Sequence, residues 1–283
     1  MLEGLSGTTQ LYGLLGSPVG HSGSPAMYNY AFEQLGMDAV YLAFDVQLEE
    51  TKAAIEAIRT LKLKGGNVTM PCKREAAKYM DELSPAAQMV NAVNVFHQVD
   101  GKLVGHMTDG LGFVNNLKAH GVDLKGKNFV VIGTGGSATA IQVQLVIEGA
   151  ASVAIFNIKD DFYVKGEETI ARVKKEYPNF DLTMNDLSDT ALLRTKIAGA
   201  DVLVNGTTVG MGIGSTRTPI SDPSVFHENL IVADAIYNPP RTQLLQDAAA
   251  KGCQTVTGEG MLLAQGKAAF KIFTGQELPV RPN

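Results

Sequence analysis

Four short apolar runs lie between residues 129 and 233, and segments long enough for a helix separate them. The runs are Phe129–Ile132, Val153–Phe156, Val202–Val204 and Leu230–Ala233. Uninterrupted apolar runs of this length are typical of parallel strands that are buried on both faces. Helices between such strands indicate βαβ units. This part of the chain therefore predicts an α/β fold with a mostly parallel sheet.

The first hundred residues also alternate between strand and helix patterns, but they end on a hairpin. The predicted strands are Leu11–Leu15, Tyr41–Val46 and Gly66–Met70, followed by the hairpin strands Ala92–Val99 and Lys102–His106. The predicted helices are Pro25–Leu35, Leu48–Leu61, Lys73–Met80 and Thr108–His120. The hairpin turn is Asp100-Gly101, a pair typical of tight turns. We place a domain boundary near residue 108.

Composition narrows the class of protein. The 283 residues suffice for one large or two ordinary domains, and 24 Lys and Arg against 29 Asp and Glu give a net charge of −5. That balance predicts neither nucleic acid nor an anionic membrane as partner. No apolar stretch approaches the ~20 residues of a membrane span, and the first ten residues lack a secretory pattern, so we expect a cytoplasmic protein. Cys72 and Cys253 have no neighbours at metal-ligand spacing, which predicts free thiols and no metal site.

A glycine-rich loop follows the first of the four apolar runs. It comprises Gly133, Thr134, Gly135, Gly136 and Ser137, and a helical pattern follows it. Glycines at such a turn let the backbone approach a pyrophosphate, whose charge is then stabilised by the helix N-terminus. The alternative is that the glycines serve close strand-to-helix packing alone. The loop predicts a dinucleotide site at Gly133, Gly135, Gly136 and Ser137.

The next strand is followed by Asn157, Ile158, Lys159, Asp160 and Asp161, about 20 residues past the glycines. A carboxylate there accepts hydrogen bonds from the adenosine ribose and repels a 2′-phosphate. Asp160, or else Asp161, therefore favours NAD over NADP. Lys159 could instead pair with a phosphate, and the simplest alternative is a solvated turn.

Two segments of the first half carry polar groups suited to a small acid. Ser24 is predicted to cap a helix whose first residue is Pro25, and the same geometry offers hydroxyls and free amides to a carboxylate. Lys73 falls in the first turn of another helix, where a cation opposes the helix dipole. A residue that violates a local stability rule is a candidate for function, here proton exchange with a hydroxyl or carbonyl group. Asp109 either starts a helix capped by Thr108 or orients Lys73.

Colinear motifs along nearly the whole chain resemble one family. In sequence order they are Gly16-Ser-Pro-Val-Gly-His-Ser-Gly-Ser-Pro25, Gly66-Asn-Val-Thr-Met-Pro-Cys-Lys73, Ala92-Val-Asn94, Thr108-Asp109, Gly133-Thr-Gly-Gly136, Asn205-Gly-Thr-Thr-Val-Gly-Met211, Tyr237-Asn-Pro239 and Gly260-Met-Leu-Leu-Ala-Gln-Gly266. Together they are similar to shikimate dehydrogenases, particularly the quinate/shikimate dehydrogenase branch.

The resemblance implies an oxidoreductase that transfers a hydride between NAD(P) and the ring hydroxyl or ketone of shikimate, quinate or a close analogue. It implies a substrate domain of residues 1–108 plus 256–283 and a Rossmann-type domain of residues 109–255, with the active site in the cleft between them. The implied substrate ligands are Ser22, Ser24, Thr69, Asn94, Tyr237 and Gln265, and the implied catalytic pair is Lys73 and Asp109. The expected cofactor is NAD, with NADP possible, bound by the glycine loop and by Asn157, Asp160, Thr207, Gly210, Met211 and Gly258.

Two departures from the family pattern keep other functions open. Val95 and Met107 stand where family members commonly have Thr and Asn, and we expect both positions beside the substrate. One alternative is therefore a paralogue that acts on another small hydroxy acid. Another is a regulator that binds NAD or a metabolite without turnover. The expected partner is a small ring hydroxy acid, and a homodimer is left open.

Overall fold

The computed structural model describes residues 4–281, and the chain divides into two compact units. The first contains residues up to Thr108 together with those from Gly266 onward, and the second contains Asp109–Gln265. Residues 256–265 thus belong to the second unit, whereas the family resemblance implies that they belong to the substrate domain. Which unit binds which ligand remains a prediction.

The first unit is built on a six-stranded sheet with the order β2-β1-β3-β5-β6-β4. Its strands are β1 (Gln10–Gly16), β2 (Ala39–Asp45), β3 (Gly65–Val68), β4 (Glu82–Leu83), β5 (Val95–Val99) and β6 (Lys102–His106). Its helices are α1 (Ser24–Gln34), α2 (Thr51–Thr60), α3 (Lys73–Ala77) and α4 (Pro85–Val90), with a 3₁₀ turn at Leu48–Glu50. The predicted hairpin is present as antiparallel β5 and β6. The short elements β4 and α4 were not predicted, and α3 ends at Ala77 rather than at Met80.

The core of the first unit is a cluster of aromatic rings. Tyr28 is fully buried, with ring centroids 4.8 Å from Tyr41, 5.8 Å from Phe270 and 5.3 Å from Phe273. The Tyr28 hydroxyl donates to the Gly266 carbonyl oxygen at 3.3 Å. Such ring pairs add to the stabilisation from buried area. This packing fixes the C-terminal segment of the chain against α1 and β2.

The second unit contains a purely parallel sheet with the order β12-β11-β10-β7-β8-β9. Its strands are β7 (Asn128–Ile132), β8 (Ser152–Asn157), β9 (Asp181–Asp186), β10 (Val202–Asn205), β11 (Ile231–Asp234) and β12 (Gln254–Val256). Its helices are α5 (Asp109–Ala119), α6 (Gly136–Ile147), α7 (Asp161–Glu176), α8 (Thr190–Ala198), α9 (Gln243–Ala250) and the first part of α10 (Glu259–Thr274), with a 3₁₀ turn at Pro223–Val225. The two units confirm the predicted α/β class, and the second has the doubly wound order of a Rossmann-type domain.

The strand order of the second unit predicts where a ligand would bind. The chain runs outward from β7 through β8 to β9, and then outward on the other side from β10 to β12, so the direction reverses between β7 and β10. In open parallel sheets, ligands bind beyond the carboxyl ends of the strands at such a switch point. The glycine loop after β7 lies at this place in the fold.

Candidate active site

In the first unit, the loops after β1 and β3 are joined by backbone hydrogen bonds. The amide of Thr69 donates to Leu15 O at 2.8 Å, and the amide of Ser17 donates to Met70 O at 2.9 Å. The loop after β1 continues to Ser22, whose Oγ accepts from the Ser24 amide at 3.2 Å. Both serines are half-buried. The fold therefore places Ser22 and Thr69 on adjacent loops at the carboxyl ends of the strands, with Ser24 at the start of α1.

The start of α1 corrects one prediction. Gly23 rather than Ser24 is the N-cap, and Ser24 is the first helical residue, with Pro25 after it. Gly23 has no side chain to cap this helix end, but Ser22 Oγ accepts from the amide of Ser24, the first helical residue. Because Pro25 has no amide hydrogen, the Ala26 amide is the one among the first three helical residues that is left to bind an anion.

Lys73 and Asn94 are held at the same edge of the first sheet. Lys73 is half-buried and begins α3, as predicted, and its carbonyl oxygen accepts from the Val93 amide at 3.0 Å. The next residue, Asn94, accepts at its carbonyl oxygen from the Val68 amide at 2.9 Å. The first unit thus brings Thr69, Lys73 and Asn94 together beyond β3.

A chain of buried neutral side chains lies beneath these residues. The Tyr41 hydroxyl donates to Asn67 Oδ1 at 2.8 Å, and Asn67 Nδ2 donates to the Asn94 carbonyl oxygen at 3.2 Å. Asn94 Oδ1 accepts from the Thr108 amide at 2.7 Å, and Asn94 Nδ2 donates to Thr108 Oγ1 at 2.9 Å. Burial raises the pKa of Tyr41 well above its ordinary value, so this hydroxyl stays neutral. Since Thr108 directly precedes Asp109, this neutral network fixes the backbone that leads to the predicted catalytic carboxylate.

The two departures from the family pattern are buried. Val95 has no exposed surface and packs in the aromatic core cluster, and Met107 is 6% exposed. The alternating position of Val95 in β5 directs its side chain into the core, and its place beside the substrate stays a prediction. Val95 places a methyl group in the core where a Thr would place a hydroxyl.

In the second unit, the glycine loop has one crowded and two open positions. Gly133 has φ +106°, and a Cβ on it would lie 2.7 Å from Thr207 Cγ2. Gly135 is the N-cap of α6 and Gly136 its first residue, and a Cβ on either would meet nothing within 4 Å. Ser137 is exposed in the same turn. Open space before exposed helix amides fits a dinucleotide pyrophosphate.

The carboxyl end of β8 carries the predicted ribose-binding residues. Asn157 is the last residue of β8 and is 9% exposed. Asp160 is the N-cap of α7, and its Oδ1 accepts from Asn157 Nδ2 at 3.0 Å and from the amides of Phe162 and Tyr163 at 3.0 and 3.1 Å. Lys159 Nζ lies 3.6 Å from Oδ2 of Asp186, the last residue of β9. The geometry thus gives Asp160 a capping role and leaves its Oδ2 for a ligand hydroxyl.

A second buried polar network lies beyond β10 and β11. Asp234 is fully buried, and its Oδ1 accepts from Asn205 Nδ2 at 3.1 Å and from the Ile236 amide at 2.9 Å. Its Oδ2 accepts from Thr242 Oγ1 at 2.7 Å. Asn205 Oδ1 also accepts from the Thr207 hydroxyl at 2.7 Å. Burial raises the pKa of the Asp234 carboxyl above its usual value, and its three hydrogen bonds oppose this shift.

This network holds two of the predicted ligand loops. Thr207 Oγ1 accepts from the Val209 amide at 3.0 Å, which shapes the turn toward buried Gly210 and half-exposed Met211. The other loop carries Tyr237, which is 53% exposed. Sequence reasoning did not identify Asp234 or Thr242. The available signal was a carboxylate directly after the apolar run of β11.

The remaining predicted residues lie near α5 and α10. Gly258 is buried, and a Cβ on it would lie 2.5 Å from the Ile236 carbonyl oxygen, so α10 begins directly against the Tyr237 loop. Gln265 on α10 approaches α5, because a Cβ on Gly112 would lie 2.6 Å from Gln265 Cβ. Asp109 is the first residue of α5. The second unit thus places Gly258 between the loop that carries Tyr237 and the helix α10 that carries Gln265.

The described residues show no alternative ligand site that outweighs the carboxyl ends of the strands. A cavity of about 290 Å³ lies at the amino ends of β7, β8 and β9, away from the carboxyl ends where ligands bind in parallel sheets. Within residues 4–281, no group of three or more His, Cys, Asp or Glu side chains is arranged to hold a metal ion. No helix in the described part of the chain is long and apolar enough to cross a membrane.

Comparison with known families gives two matches. Residues 14–96 match the shikimate dehydrogenase substrate binding domain, and residues 258–282 match the shikimate 5′-dehydrogenase C-terminal domain. The first match includes Ser22, Ser24, Thr69, Lys73 and Asn94, and the second includes Gly258 and Gln265.

Individual relatives match nearly the whole chain. Shikimate dehydrogenase (NADP(+)) of Listeria innocua is 43% identical over 98% of this chain and 95% of its own length. The structure of shikimate 5-dehydrogenase from Listeria monocytogenes in complex with shikimate and NAD has a TM-score of 0.94, with 42% identity over 99% of this chain and 96% of that chain. Quinate dehydrogenase from Corynebacterium glutamicum in complex with NAD has a TM-score of 0.84, with 28% identity over 96% of this chain and 95% of that chain.

Proposed function

Because the chain belongs to the shikimate dehydrogenase family, we propose that it transfers a hydride between NAD and the ring carbon that bears a hydroxyl of shikimate. The observation that carries this proposal is the group of Thr69, Lys73 and Asn94 beyond β3, within the region that matches the substrate binding domain. The similarity to a structure with shikimate and NAD bound supports the choice of both ligands.

In this proposal, the first unit binds the ring acid. The Ala26 amide in the first turn of α1, with the Ser22 and Ser24 hydroxyls, stabilises the carboxylate through charge-assisted hydrogen bonds. Thr69 and Asn94 bind ring hydroxyls. We propose that Tyr237 and Gln265 also bind the acid, Tyr237 at the carboxylate and Gln265 at a ring hydroxyl.

Lys73 is the proposed acid–base residue. During oxidation, the C–O bond of the substrate becomes a carbonyl, the hydroxyl proton passes to Lys73 Nζ, and the hydride leaves the same carbon. During reduction, Lys73 returns the proton to the oxygen as its negative charge develops. Asp109 is proposed to orient Lys73, and the neutral network ending at Thr108 holds the backbone of Asp109 in place.

The second unit is proposed to bind NAD, which supplies the hydride acceptor of the oxidation. Gly135, Gly136 and Ser137 would face the pyrophosphate, and Gly133 would allow the close turn. Asn157 and Asp160 would bind the adenosine ribose. Thr207, Gly210, Met211 and Gly258 would shape the nicotinamide end. The Asp160 carboxylate supports NAD over NADP because it repels a 2′-phosphate.

The primary test measures formation of NADH and NADPH with shikimate and with quinate. We expect turnover of shikimate with NAD, and Lys73→Ala should lower kcat by about 10²- to 10⁴-fold while NAD still binds. Lys73→Arg serves as the control that retains the charge. Equal turnover by Lys73→Ala and the wild type would refute the catalytic role. Turnover of quinate but not of shikimate would identify quinate as the substrate instead.

Gly135→Ala tests the cofactor site separately. The added methyl group enters open space and clashes with nothing in the protein, so the free energy of unfolding should stay within about 0.5 kcal/mol. Affinity for NAD should fall about tenfold or more, because the methyl group occupies the space of the pyrophosphate. Unchanged NAD affinity would show that the pyrophosphate does not bind at this loop.

We also propose that the enzyme works in the cytoplasm on this small-molecule partner. Cys72 and Cys253 are both free and buried, which suits a reducing compartment. Light scattering on the purified chain distinguishes a monomer from the homodimer that the sequence leaves open.

A further inference from the structure

The loop after β8 contains one cation that could bind the 2′-phosphate of NADP, and an acidic side chain of the neighbouring strand already contacts it. Lys159 Nζ lies 3.6 Å from Asp186 Oδ2. The side chain of Lys159 is 68% exposed and that of Asp186 only 27% exposed. The carboxylate is therefore the more firmly placed partner.

Backbone pairing and hydrogen bonds hold Asp186 beside the ribose-binding loop. Asn157 and Asp186 are register partners at the ends of parallel β8 and β9, and the Leu187 amide donates to Asn157 O at 2.9 Å. Asp186 Oδ1 accepts from the Ser188 amide at 2.9 Å. The hydrogen bonds from Ser188, with Lys159 nearby, lower the pKa of the Asp186 carboxyl, which is thus charged at neutral pH.

The other nearby cation is also engaged. Lys165 Nζ lies 4.7 Å from the centroid of the Phe162 ring, in the first turns of α7. The edge beyond β8 and β9 therefore presents the carboxylates of Asp160 and Asp186, with Lys159 paired to the second.

We propose that Asp186 is a cofactor-specificity residue, which holds Lys159 away from a 2′-phosphate and adds a second negative charge next to that position. This inference rests on the proposed NAD site. A 2′-phosphate carries up to two negative charges and would lie within about one strand spacing of Asp186, inside the screening length of physiological salt. The adenosine ribose of NAD has no charge there, so Asp186 should discriminate against NADP alone.

The test compares the wild type, Asp186→Asn, Lys159→Met and the double variant. For each, we would measure kcat/KM with NAD and NADP, and the dissociation constants of 5′-AMP and adenosine 2′,5′-bisphosphate by calorimetry. The two nucleotides differ in the 2′-phosphate, and their binding requires no turnover. Failure of the shikimate assay would therefore leave this test intact.

Asp186→Asn should increase the affinity for adenosine 2′,5′-bisphosphate and raise kcat/KM for NADP, each by about fivefold or more. The affinity for 5′-AMP and the kcat/KM for NAD should stay within about twofold of the wild-type values. The double variant should keep only a small part of that gain, because without Lys159 only the removal of the Asp186 charge remains. Asp181→Asn is the matched control, since it removes the same charge at the opposite end of β9.

Two outcomes would overturn the proposal. If Asp186→Asn changes the affinity for both nucleotides equally, or keeps its whole gain without Lys159, then Asp186 does not act through Lys159. If Lys159→Met alone weakens adenosine 2′,5′-bisphosphate in the presence of Asp186, then Lys159 already binds the phosphate in the wild type. A melting temperature within 2–3 °C of the wild type would show that either result comes from a folded variant.

Discussion

Both units hold their ligand loops with a buried polar network, but one network is neutral and the other contains a carboxylate. Each has a buried polar network at the carboxyl ends of its strands, where loops with predicted ligand residues begin. In the first unit the network is neutral and runs from Tyr41 through Asn67 and Asn94 to Thr108. In the second unit the centre is a carboxylate, Asp234, with three donors around it. The comparison predicts that the two networks respond differently to substitution and to pH.

The largest effect should come from placing a charge in the neutral network. In Asn67→Asp, the oxygen that replaces Nδ2 would face the Asn94 carbonyl oxygen instead of donating to it. An uncompensated buried charge of this kind should cost about 3–5 kcal/mol of unfolding free energy at pH 7. Urea unfolding followed by circular dichroism measures this loss, and hydrogen exchange locates it in the first unit.

Asn185→Asp provides the matched control for this variant. Asn185 Nδ2 also donates to a backbone carbonyl oxygen, that of Ile155 at 3.0 Å, but its side chain is only half-buried on the edge strand β9. Its cost should be smaller because water can solvate the charge. If Asn67→Asp loses the same stability at pH 4 as at pH 7, the loss comes from packing and not from charge.

The features that could be predicted from the sequence are those that rest on local patterns. The fold class, the family and the oxidoreductase activity are confirmed, because they rest on apolar runs and motifs that are local in the chain. The strands β9 and β12 were not predicted, since both are sheet edges with polar residues and short or broken apolar patterns.

Long-range hydrogen bonds could not be predicted from local patterns. Asp234 binds Asn205, which lies 29 residues earlier, and Thr242, which lies eight residues later. In the same way, the position of Val95 in the core depends on the register of β5 with β3. The helix start at Ser24 shifted by one residue because Gly23 adopts the capping position. The roles of the individual site residues remain predictions.

A smaller effect is expected when the charge is removed from the second network. Asp234→Asn keeps an acceptor for Asn205 and the Ile236 amide but loses the acceptor for the Thr242 hydroxyl, at a cost of about 1–3 kcal/mol. The folded pKa of Asp234 is raised above 3.8, so its contribution to stability is greatest below that pH and falls as the pH rises through the folded pKa. The stability difference between wild type and variant should therefore be larger at pH 4 than at pH 7.

The same variant should disturb the loops of Met211 and Tyr237. Hydrogen exchange in residues 206–211 and 235–242 should increase, and the KM values for NAD and shikimate should rise more than kcat falls. Thr242→Val removes the donor and leaves the carboxylate, so it should reproduce the loop effect with a smaller change in pH dependence. A stability difference that grows with rising pH would contradict the assigned direction of the Asp234 shift.

The smallest effect, and the opposite pH response, is expected in the first unit at His106. Its Nε2 lies 3.1 Å from His97 Nδ1, and burial, together with the charge on His97, lowers its pKa from 6.5 to about 4. A depressed histidine pKa stabilises the folded state above pH 6.5, and this contribution is lost as the pH falls toward 4. His106→Gln should cost no more than about 1 kcal/mol at pH 7, the usual value of one hydrogen bond. As the pH falls from 7 to 5, the wild type should lose stability relative to His106→Gln. As the pH falls from 7 to 4, the wild type should gain stability relative to Asp234→Asn. Parallel pH curves for wild type and His106→Gln would mean that the two units do not differ in this way.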